Sequence, residues 1–122
     1  MMKLLNIKTS YNIGKSAENQ ACEYLVKQAY KIVAKNYKTK LGEIDILAEK
    51  NNTLVAVEVK YRGDEENLPY VIMPKQMARI QNSLLLFIQN NEAYKDYYLR
   101  FDAILISKNN INHIENAWEE MS

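Results

Sequence analysis

The alternation of apolar and polar residues between positions 42 and 60 predicts a β-hairpin. Apolar residues occupy every second position from Ile44 to Ala48 and again from Val55 to Val59. This period of two is typical of strands that bury one face. Asn51-Asn52 separates the two runs, and asparagine tolerates the positive φ of a two-residue hairpin loop. The two strands are therefore expected to be neighbours in one sheet.

A two-residue loop sets the register of this hairpin, because every cross-strand pair is then counted from the loop. The pairs nearest the loop and along the apolar face are Lys50–Thr53, Ala48–Val55, Ile46–Val57 and Ile44–Val59. The other face brings Asp45 opposite Glu58, and Glu43 opposite Lys60. Acids and one lysine are therefore expected on a common face of the two strands.

Opposed carboxylates are an unfavourable choice for a hairpin. Cβ atoms of directly opposed residues lie roughly 4.5–5.5 Å apart, and like charges at that distance destabilise a sheet. A divalent cation between Asp45 and Glu58 would remove the repulsion, because hard cations bind carboxylate oxygens. The alternative is a solvated hairpin whose acids point at water, with a surface ion pair between Glu43 and Lys60.

Two helices and three further strands are expected around the hairpin. A stripe of apolar and small residues at helical spacing predicts a first helix from about Ile13 to Gln28, with Glu18 bordering its inner face. Pro74 suits the first turn of a second helix that ends near Asn90. The other strands are expected near Lys31–Thr39, Tyr98–Ser107 and Ile111–Ala117. The order α-β-β-β-α-β-β predicts an α/β protein with a mixed β-sheet flanked by helices.

Composition excludes several classes of protein. A chain of 122 residues, 48% of them apolar, fits a single domain over residues 1–122 with its core at about 13–118. No apolar run approaches the roughly 20 residues that span a bilayer, so no membrane partner is expected. The single cysteine, Cys22, favours a reducing, cytoplasmic location. With His113 as the only histidine, the usual ligands of a zinc site are lacking.

Charge is unevenly distributed along the chain, although the net charge is only +1. Residues 1–40 hold eight lysines and two acids, a balance of +6. Residues 41–70 hold seven acids and three bases, a balance of −4. A basic region beside an acidic one suits a surface that follows phosphates around a metal-binding pocket. The alternative for individual lysines is ordinary solubility.

Several short motifs together resemble the YraN family of bacterial endonuclease-like proteins, over about Gly14–Trp118. They are Glu18, Gly42-Glu43-Ile44-Asp45, Glu58-Val59-Lys60, Arg62, Lys75 and Arg100-Phe101-Asp102. The resemblance implies the restriction-endonuclease-like fold of the PD-(D/E)XK superfamily and a similarity to archaeal Holliday junction resolvases. It also implies that Asp45 is the motif's aspartate, that Glu58 and Lys60 form its Glu-x-Lys, and that Glu18 is the first-helix acid.

Phosphodiester hydrolysis gives these residues chemical roles. It requires a metal that neutralises phosphoryl oxygens and makes a water more acidic. Asp45, Glu58 and the main-chain carbonyl of Val59 would hold Mg²⁺ or Mn²⁺, a sparse ligand set that magnesium accepts because it keeps several waters. Lys60 would orient the attacking water or stabilise the transition state. Glu18 would complete the site through a water or a second ion.

Basic residues beyond the hairpin are candidates for holding the nucleic-acid backbone. We expect Arg62, Lys75 and Arg79 in this role, and Lys75 at a helix N-terminus would share a bound phosphate with the helix dipole. Simple solubility is the alternative for Arg79. Arg100 and Asp102 are expected to point outward from one strand, where an ion pair and a contact with substrate both remain open.

The sequence therefore predicts a metal-dependent nuclease that acts on nucleic acid. DNA is the expected substrate and branched DNA is one candidate form of it, while the choice between DNA and RNA and between junction, flap and single strand stays open. A homodimer follows from the resemblance, because a four-way junction offers two symmetric cuts. Two alternatives remain: a module that binds nucleic acid without cutting it, and a small interaction module whose acids are structural.

Overall fold

A computed structural model describes residues 10–120 and contains the elements in the predicted order. The first helix begins slightly earlier than expected, and the other elements lie close to their predicted bounds. Neither α-helix in the described part is long and apolar enough to cross a membrane. The elements are α1 (Ser10–Lys27), β1 (Lys31–Thr39), β2 (Gly42–Lys50), β3 (Thr53–Gly63), α2 (Pro74–Gln89), a 3₁₀ turn (Glu92–Tyr94), β4 (Tyr98–Ser107) and β5 (Ile111–Trp118).

The five strands form one mixed sheet in the order β1-β2-β3-β4-β5. Neighbouring strands are antiparallel except β3 and β4, which are parallel. Parallel strands cannot be joined by a tight turn, so residues 64–97, which include α2, cross over between them. This topology makes β3 an inner strand of the sheet.

The two helices cover opposite faces of the sheet. Adjacent residues of a strand point to opposite faces, and they belong to two different apolar clusters, one with each helix. Ala17, Ala21 and Leu25 of α1 pack with the residues Ile46, Ala48, Val55, Val57, Ile104 and Ile106. Ile80, Leu84 and Phe87 of α2 pack with the residues Ile44, Leu47, Leu54, Ala56, Phe101 and Trp118. A strand covered on both faces reads as a continuous apolar run, as residues 54–57 do.

The hairpin loop between β2 and β3 has the predicted form. Asn51 and Asn52 both adopt positive φ, 51° and 58°, as a two-residue hairpin loop requires. The predicted pairs nearest the loop are confirmed: Lys50–Thr53, Ala48–Val55 and Ile46–Val57. The local turn chemistry therefore fixes the register at this end of the hairpin.

The far end of the hairpin corrects the prediction. The β2–β3 ladder ends at Ile46–Val57, so the predicted pairs Ile44–Val59, Asp45–Glu58 and Glu43–Lys60 are not formed as strand pairs. From this point β2 stays paired with β1 as far as Gly42, whereas β3 stays paired with β4. Ile46, in the last pair of the β2–β3 ladder, packs in the apolar cluster of α1, whereas Ile44, beyond the end of the ladder, packs in that of α2. The acids therefore lie where the two strands part.

Candidate active site

A cleft of ≈ 560 Å³ opens beside the β1–β2 turn and α2. Glu43 and Asp45 of β2 line it together with three cationic side chains, Lys38, Lys40 and Arg79. Asp45 reaches this cleft at the position where the ladder between β2 and β3 has ended. The cleft therefore combines carboxylates with positive charge.

Contacts between the β1–β2 turn and α2 fix one wall of this cleft. The Thr39 hydroxyl accepts the main-chain N–H groups of Leu41 (2.9 Å) and Gly42 (3.1 Å) and lies 3.0 Å from the Ser83 hydroxyl on α2. Gly42 has φ +157°, and a Cβ added there would lie 2.8 Å from Cβ of Arg79. Only glycine allows this close approach of turn and helix.

Asp45 lies in surroundings that disfavour its charge. Its Oδ2 accepts one hydrogen bond, from the Val59 N–H at 2.9 Å, which takes the place of a strand pair. Burial raises the pKa of Asp45 to about 7; the Val59 hydrogen bond opposes this, and the charges of Glu18, Glu58 and Glu43 add to it. Three carboxylates therefore act on Asp45, and a proton or a cation there would relieve the repulsion.

Glu58 and Lys60 contact each other on β3. Lys60 Nζ lies 3.3 Å from Oε1 of Glu58, as two residues on the same face of a strand can. The predicted partner of Lys60 was Glu43, so that expectation is wrong. The other oxygen of Glu58 accepts the Tyr70 hydroxyl at 2.7 Å, and Glu58 is only 6% exposed. Burial, and then the bond to Glu58, raises the pKa of Tyr70 well above its ordinary range.

Glu18 reaches the same acids through a residue that the sequence did not single out. Asn36 Nδ2 donates to Oε1 of Glu18 (2.8 Å) and to Oε2 of Glu43 (3.3 Å), and its Oδ1 accepts Lys15 Nζ (2.7 Å). Asparagine is a poor strand former, so its place within the predicted strand β1 was the available signal.

The types of donor atom suit a magnesium-type site with few protein ligands, although of Asp45, Glu58 and Val59 only Asp45 lines the cleft. Within the described residues no three side chains of the types His, Cys, Asp and Glu are grouped closely enough to hold a metal. Asp45, Glu58 and the Val59 carbonyl offer two carboxylates and one further oxygen. Such hard oxygen ligands suit Mg²⁺ or Mn²⁺, and magnesium is commonly bound by one or two carboxylates with substrate phosphate.

The three predicted nucleic-acid contacts lie in different surroundings. The Arg62 guanidinium donates to the carbonyls of Leu68 (2.6 Å) and Pro69 (3.2 Å), so it holds the segment that follows β3. Lys75 is exposed in the first turn of α2. Arg79 lines the cleft. Of the three residues predicted to contact nucleic acid, Arg79 is therefore the one that lines the cleft.

Lys38 and Lys40 are the cleft cations that were not predicted. Among residues 12–120 no carboxylate lies within ion-pair distance of Lys38, Lys40 or Arg79. Their place in a basic stretch of sequence was visible, but the approach of the β1–β2 turn to α2 was not.

Arg100 and Asp102 form the local ion pair that the sequence left open, but Asp102 is buried, which corrects the expectation that it points outward. Arg100 Nη2 lies 2.8 Å from Oδ2 of Asp102, and Asp102 is completely buried. The His113 ring nitrogen Nε2 lies 2.7 Å from the same oxygen. Neither Arg100 nor Asp102 lines the cleft, and Arg100 lines a separate pocket of ≈ 240 Å³ with Tyr30 and Glu115.

Comparison with known proteins assigns this chain to a family. Residues 17–106 match the profile of the "Uncharacterised protein family UPF0102". The chain belongs to the UPF0102 family. This is the YraN family, so the predicted resemblance is confirmed. A UPF0102 protein of Francisella tularensis is 44% identical over 113 residues, covering 87% of this chain and 93% of the relative. Another UPF0102 protein, from Rhodopseudomonas palustris, is 36% identical over 111 residues, covering 90% and 85%.

A solved structure shares the fold of this UPF0102 member. It is Hjc of Archaeoglobus fulgidus, described as a Holliday junction resolvase from an archaeal hyperthermophile. The TM-score is 0.53 at 17% identity, with 80% of this chain and 72% of that chain covered. At this identity the likeness concerns the fold alone. It confirms the predicted fold class, a mixed sheet flanked by helices like that of the resolvase.

Proposed function

We propose that this chain is a nuclease that depends on Mg²⁺ or Mn²⁺ and hydrolyses phosphodiester bonds in DNA, branched DNA in particular. One observation carries the proposal. Asp45 is partly buried, Glu18, Glu43 and Glu58 act on it and its pKa is raised to about 7, and it lines a cleft whose cations have no ion-pair partner among residues 12–120. A carboxylate on which other carboxylates act stabilises a fold poorly and binds a cation well.

The residues of the site divide the chemistry between them. Asp45, Glu58 and the Val59 carbonyl hold the metal, which when bound would neutralise phosphoryl oxygens and make the attacking water more acidic. Lys60 is about half exposed and touches Glu58, and in this proposal its ammonium would donate to the water or to a phosphoryl oxygen. Glu18, on α1, would provide a further carboxylate, whose charge acts on Asp45.

The cleft cations support a nucleic-acid substrate. Lys38, Lys40 and Arg79 line the same cleft as Asp45, and cationic side chains attract the phosphate backbone without regard to sequence. Lys75 extends this surface at the start of α2, where no acidic residue lies in the first turn. Arg62 contributes indirectly in this proposal, because its guanidinium is bonded to the main chain.

Branched DNA as substrate and a homodimer are the finer parts of the proposal. Their support is the fold shared with a protein named as a Holliday junction resolvase. Two symmetric cuts in a junction call for two copies of the site. A cytoplasmic location completes the proposal, with Cys22 as a free thiol. Sedimentation that finds only monomer at micromolar concentration, with and without junction DNA, would contradict the dimer.

Substitution of Asp45 by asparagine tests the metal site and the activity together. Asp45→Asn keeps an acceptor for the Val59 N–H and removes the charge, so we expect Mn²⁺ binding by calorimetry and DNA cleavage both to be lost. Cleavage is measured on four-way-junction, single-stranded and duplex DNA. The control is Asp96→Asn, the same change at an exposed acid outside the cleft lining, which is expected to behave as wild type.

Other results separate the alternatives. Mn²⁺ binding without cleavage of any of the DNA forms would favour a protein that binds DNA without cutting it. Absence of Mn²⁺ binding by the wild type, even with DNA present, would overturn the proposed nuclease.

A further inference from the structure

Asn36 occupies an unusual place inside strand β1. It has φ 51°, the left-handed region that asparagine enters more readily than most residues. Its flanking residues pair normally with β2, Lys35 with Ile46 and Tyr37 with Ile44. Asn36 itself lies across from Asp45 between these two pairs. A strained backbone conformation at this point of a strand indicates a requirement other than regular pairing.

The side-chain contacts of Asn36 identify that requirement. Its two amide hydrogens point at two carboxylates, Glu18 at 2.8 Å and Glu43 at 3.3 Å. Its oxygen accepts the Lys15 ammonium at 2.7 Å, which fixes the orientation of the amide with the NH₂ group towards the acids. Both carboxylates belong to the set that acts on Asp45.

The amide is suited to hold acids that must remain charged. A lysine or arginine in this position would form ion pairs with Glu18 and Glu43 and cancel part of the negative charge. An aspartate would add a further negative charge and has no hydrogen to donate. A neutral donor with two N–H groups fixes both carboxylates and leaves their charge for a ligand.

We propose that Asn36 is a positioning residue of the candidate active site, whose amide holds Glu18 of α1 and Glu43 of β2 beside Asp45. The proposal rests on the proposed nuclease function and deepens it, because Asn36 acts on the metal and the substrate only through these acids. Partners that orient such acids typically contribute 10- to 100-fold to metal affinity or activity.

Replacement by glycine separates the amide from the backbone. Asn36→Gly keeps the positive φ without strain and removes both hydrogen bonds to the acids. The matched control is Asn51→Gly, since Asn51 has the same φ of 51° in the β2–β3 loop. Asn36→Asp is the second variant, because it keeps a similar shape and replaces two donors with an acceptor.

The measurements are Mn²⁺ affinity by calorimetry, kcat and KM on four-way-junction DNA, and the midpoint of urea unfolding. For Asn36→Gly we expect about 10- to 100-fold weaker Mn²⁺ binding or lower kcat, with KM for DNA little changed because Lys38, Lys40 and Arg79 remain. Asn36→Asp is expected to lose at least as much. Asn51→Gly is expected to match wild type in metal affinity, kcat and KM.

Two negative results have different meanings. If wild type binds Mn²⁺ and cleaves DNA while Asn36→Gly equals Asn51→Gly in affinity and kcat, the role of Asn36 is overturned and the nuclease stands. If Asn36→Gly lowers only the unfolding midpoint, its amide is structural and the proposal is likewise overturned. If wild type neither binds Mn²⁺ nor cleaves, the nuclease fails and the positioning role fails with it.

Discussion

Asp45 and Asp102 lie on two strands of the same sheet, and both are largely shielded from solvent. The Asp102 carboxylate is surrounded by hydrogen-bond donors: Arg100 through two nitrogens, at 2.9 and 2.8 Å, His113 at 2.7 Å and the Asn116 N–H at 2.9 Å. Burial alone would raise the pKa of Asp102, but the hydrogen bonds from His113, Arg100 and Asn116 outweigh it and lower the pKa.

Asp45 has the opposite surroundings. It accepts one main-chain hydrogen bond, and the charged groups that act on it are Glu18, Glu58 and Glu43. The two aspartates therefore differ in the hydrogen-bond donors and charges around them, and not only in burial. A carboxylate that the protein fully satisfies stabilises the fold, whereas one that it leaves among like charges has its charge available for a ligand.

The largest effect is expected at the satisfied aspartate. Asp102→Asn removes the buried charged partner of Arg100, whose side chain is 24% exposed, and leaves it the exposed Glu115 at 3.9 Å. Breaking a buried ion pair on one side typically costs about 3–5 kcal/mol. We expect the free energy of unfolding, measured with urea, to fall by about that amount. A loss below about 1 kcal/mol would mean that the two aspartates do not differ as described.

A smaller effect of opposite sign is expected at the unsatisfied aspartate. Because the folded-state pKa of Asp45 is raised from 3.8 to about 7, its ionisation destabilises the folded state progressively as pH rises through this range. Asp45→Asn removes this cost, so we expect it to be more stable than wild type by about 1–2 kcal/mol at pH 8. Urea unfolding at pH 4, 6 and 8 measures the difference.

The pH series distinguishes the two sites further. The advantage of Asp45→Asn should be small near pH 4 and grow towards pH 7. For Asp102 the lowered pKa stabilises the folded state above the ordinary value of 3.8, and this contribution is lost as pH falls through the lower folded value. An advantage of Asp45→Asn that does not change with pH would contradict the assigned repulsion.

The smallest effect is expected at Glu58, which is intermediate between the two aspartates. It has one cationic neighbour, Lys60, and one hydroxyl donor, Tyr70. Tyr70→Phe removes the hydroxyl from a buried acceptor and is expected to cost about 1 kcal/mol in unfolding free energy. Tyr98→Phe, at a side chain that is 76% exposed, is the control and should cost much less.

Local patterns in the sequence were enough to predict the element order and the hairpin loop. Period-two runs gave β2 and β3, and Asn51-Asn52 gave the loop, because both features depend on neighbouring residues. The pairing beyond Ile46–Val57 was not predictable in this way. There β1 and β4 hold the two strands apart, and their contacts are distant in sequence.

The same limit applies to the candidate site. Glu18, Asp45 and Glu58 were recognised by residue type and motif, and the structure brings all three within electrostatic reach. Asn36 was missed because its role depends on a backbone conformation and on two partners in other elements. Asp102 was expected to point outward, but alternation predicts exposure only where one face is open, and β4 is covered on both.

The parallel pairing of β3 with β4 joins residues that are distant in sequence, whereas the contacts among α1, β1, β2 and β3 join residues that are closer in sequence. Glu18, Asn36, Asp45, Glu58 and Lys60 all lie within α1 and three consecutive strands, whose pairing closes short loops. Pairing of β4 must close the whole segment 64–97, and contacts of long sequence separation form slowly. The acids are therefore expected to meet early on the folding route, and β4, with its satisfied aspartate, to add later the stability that keeps them together.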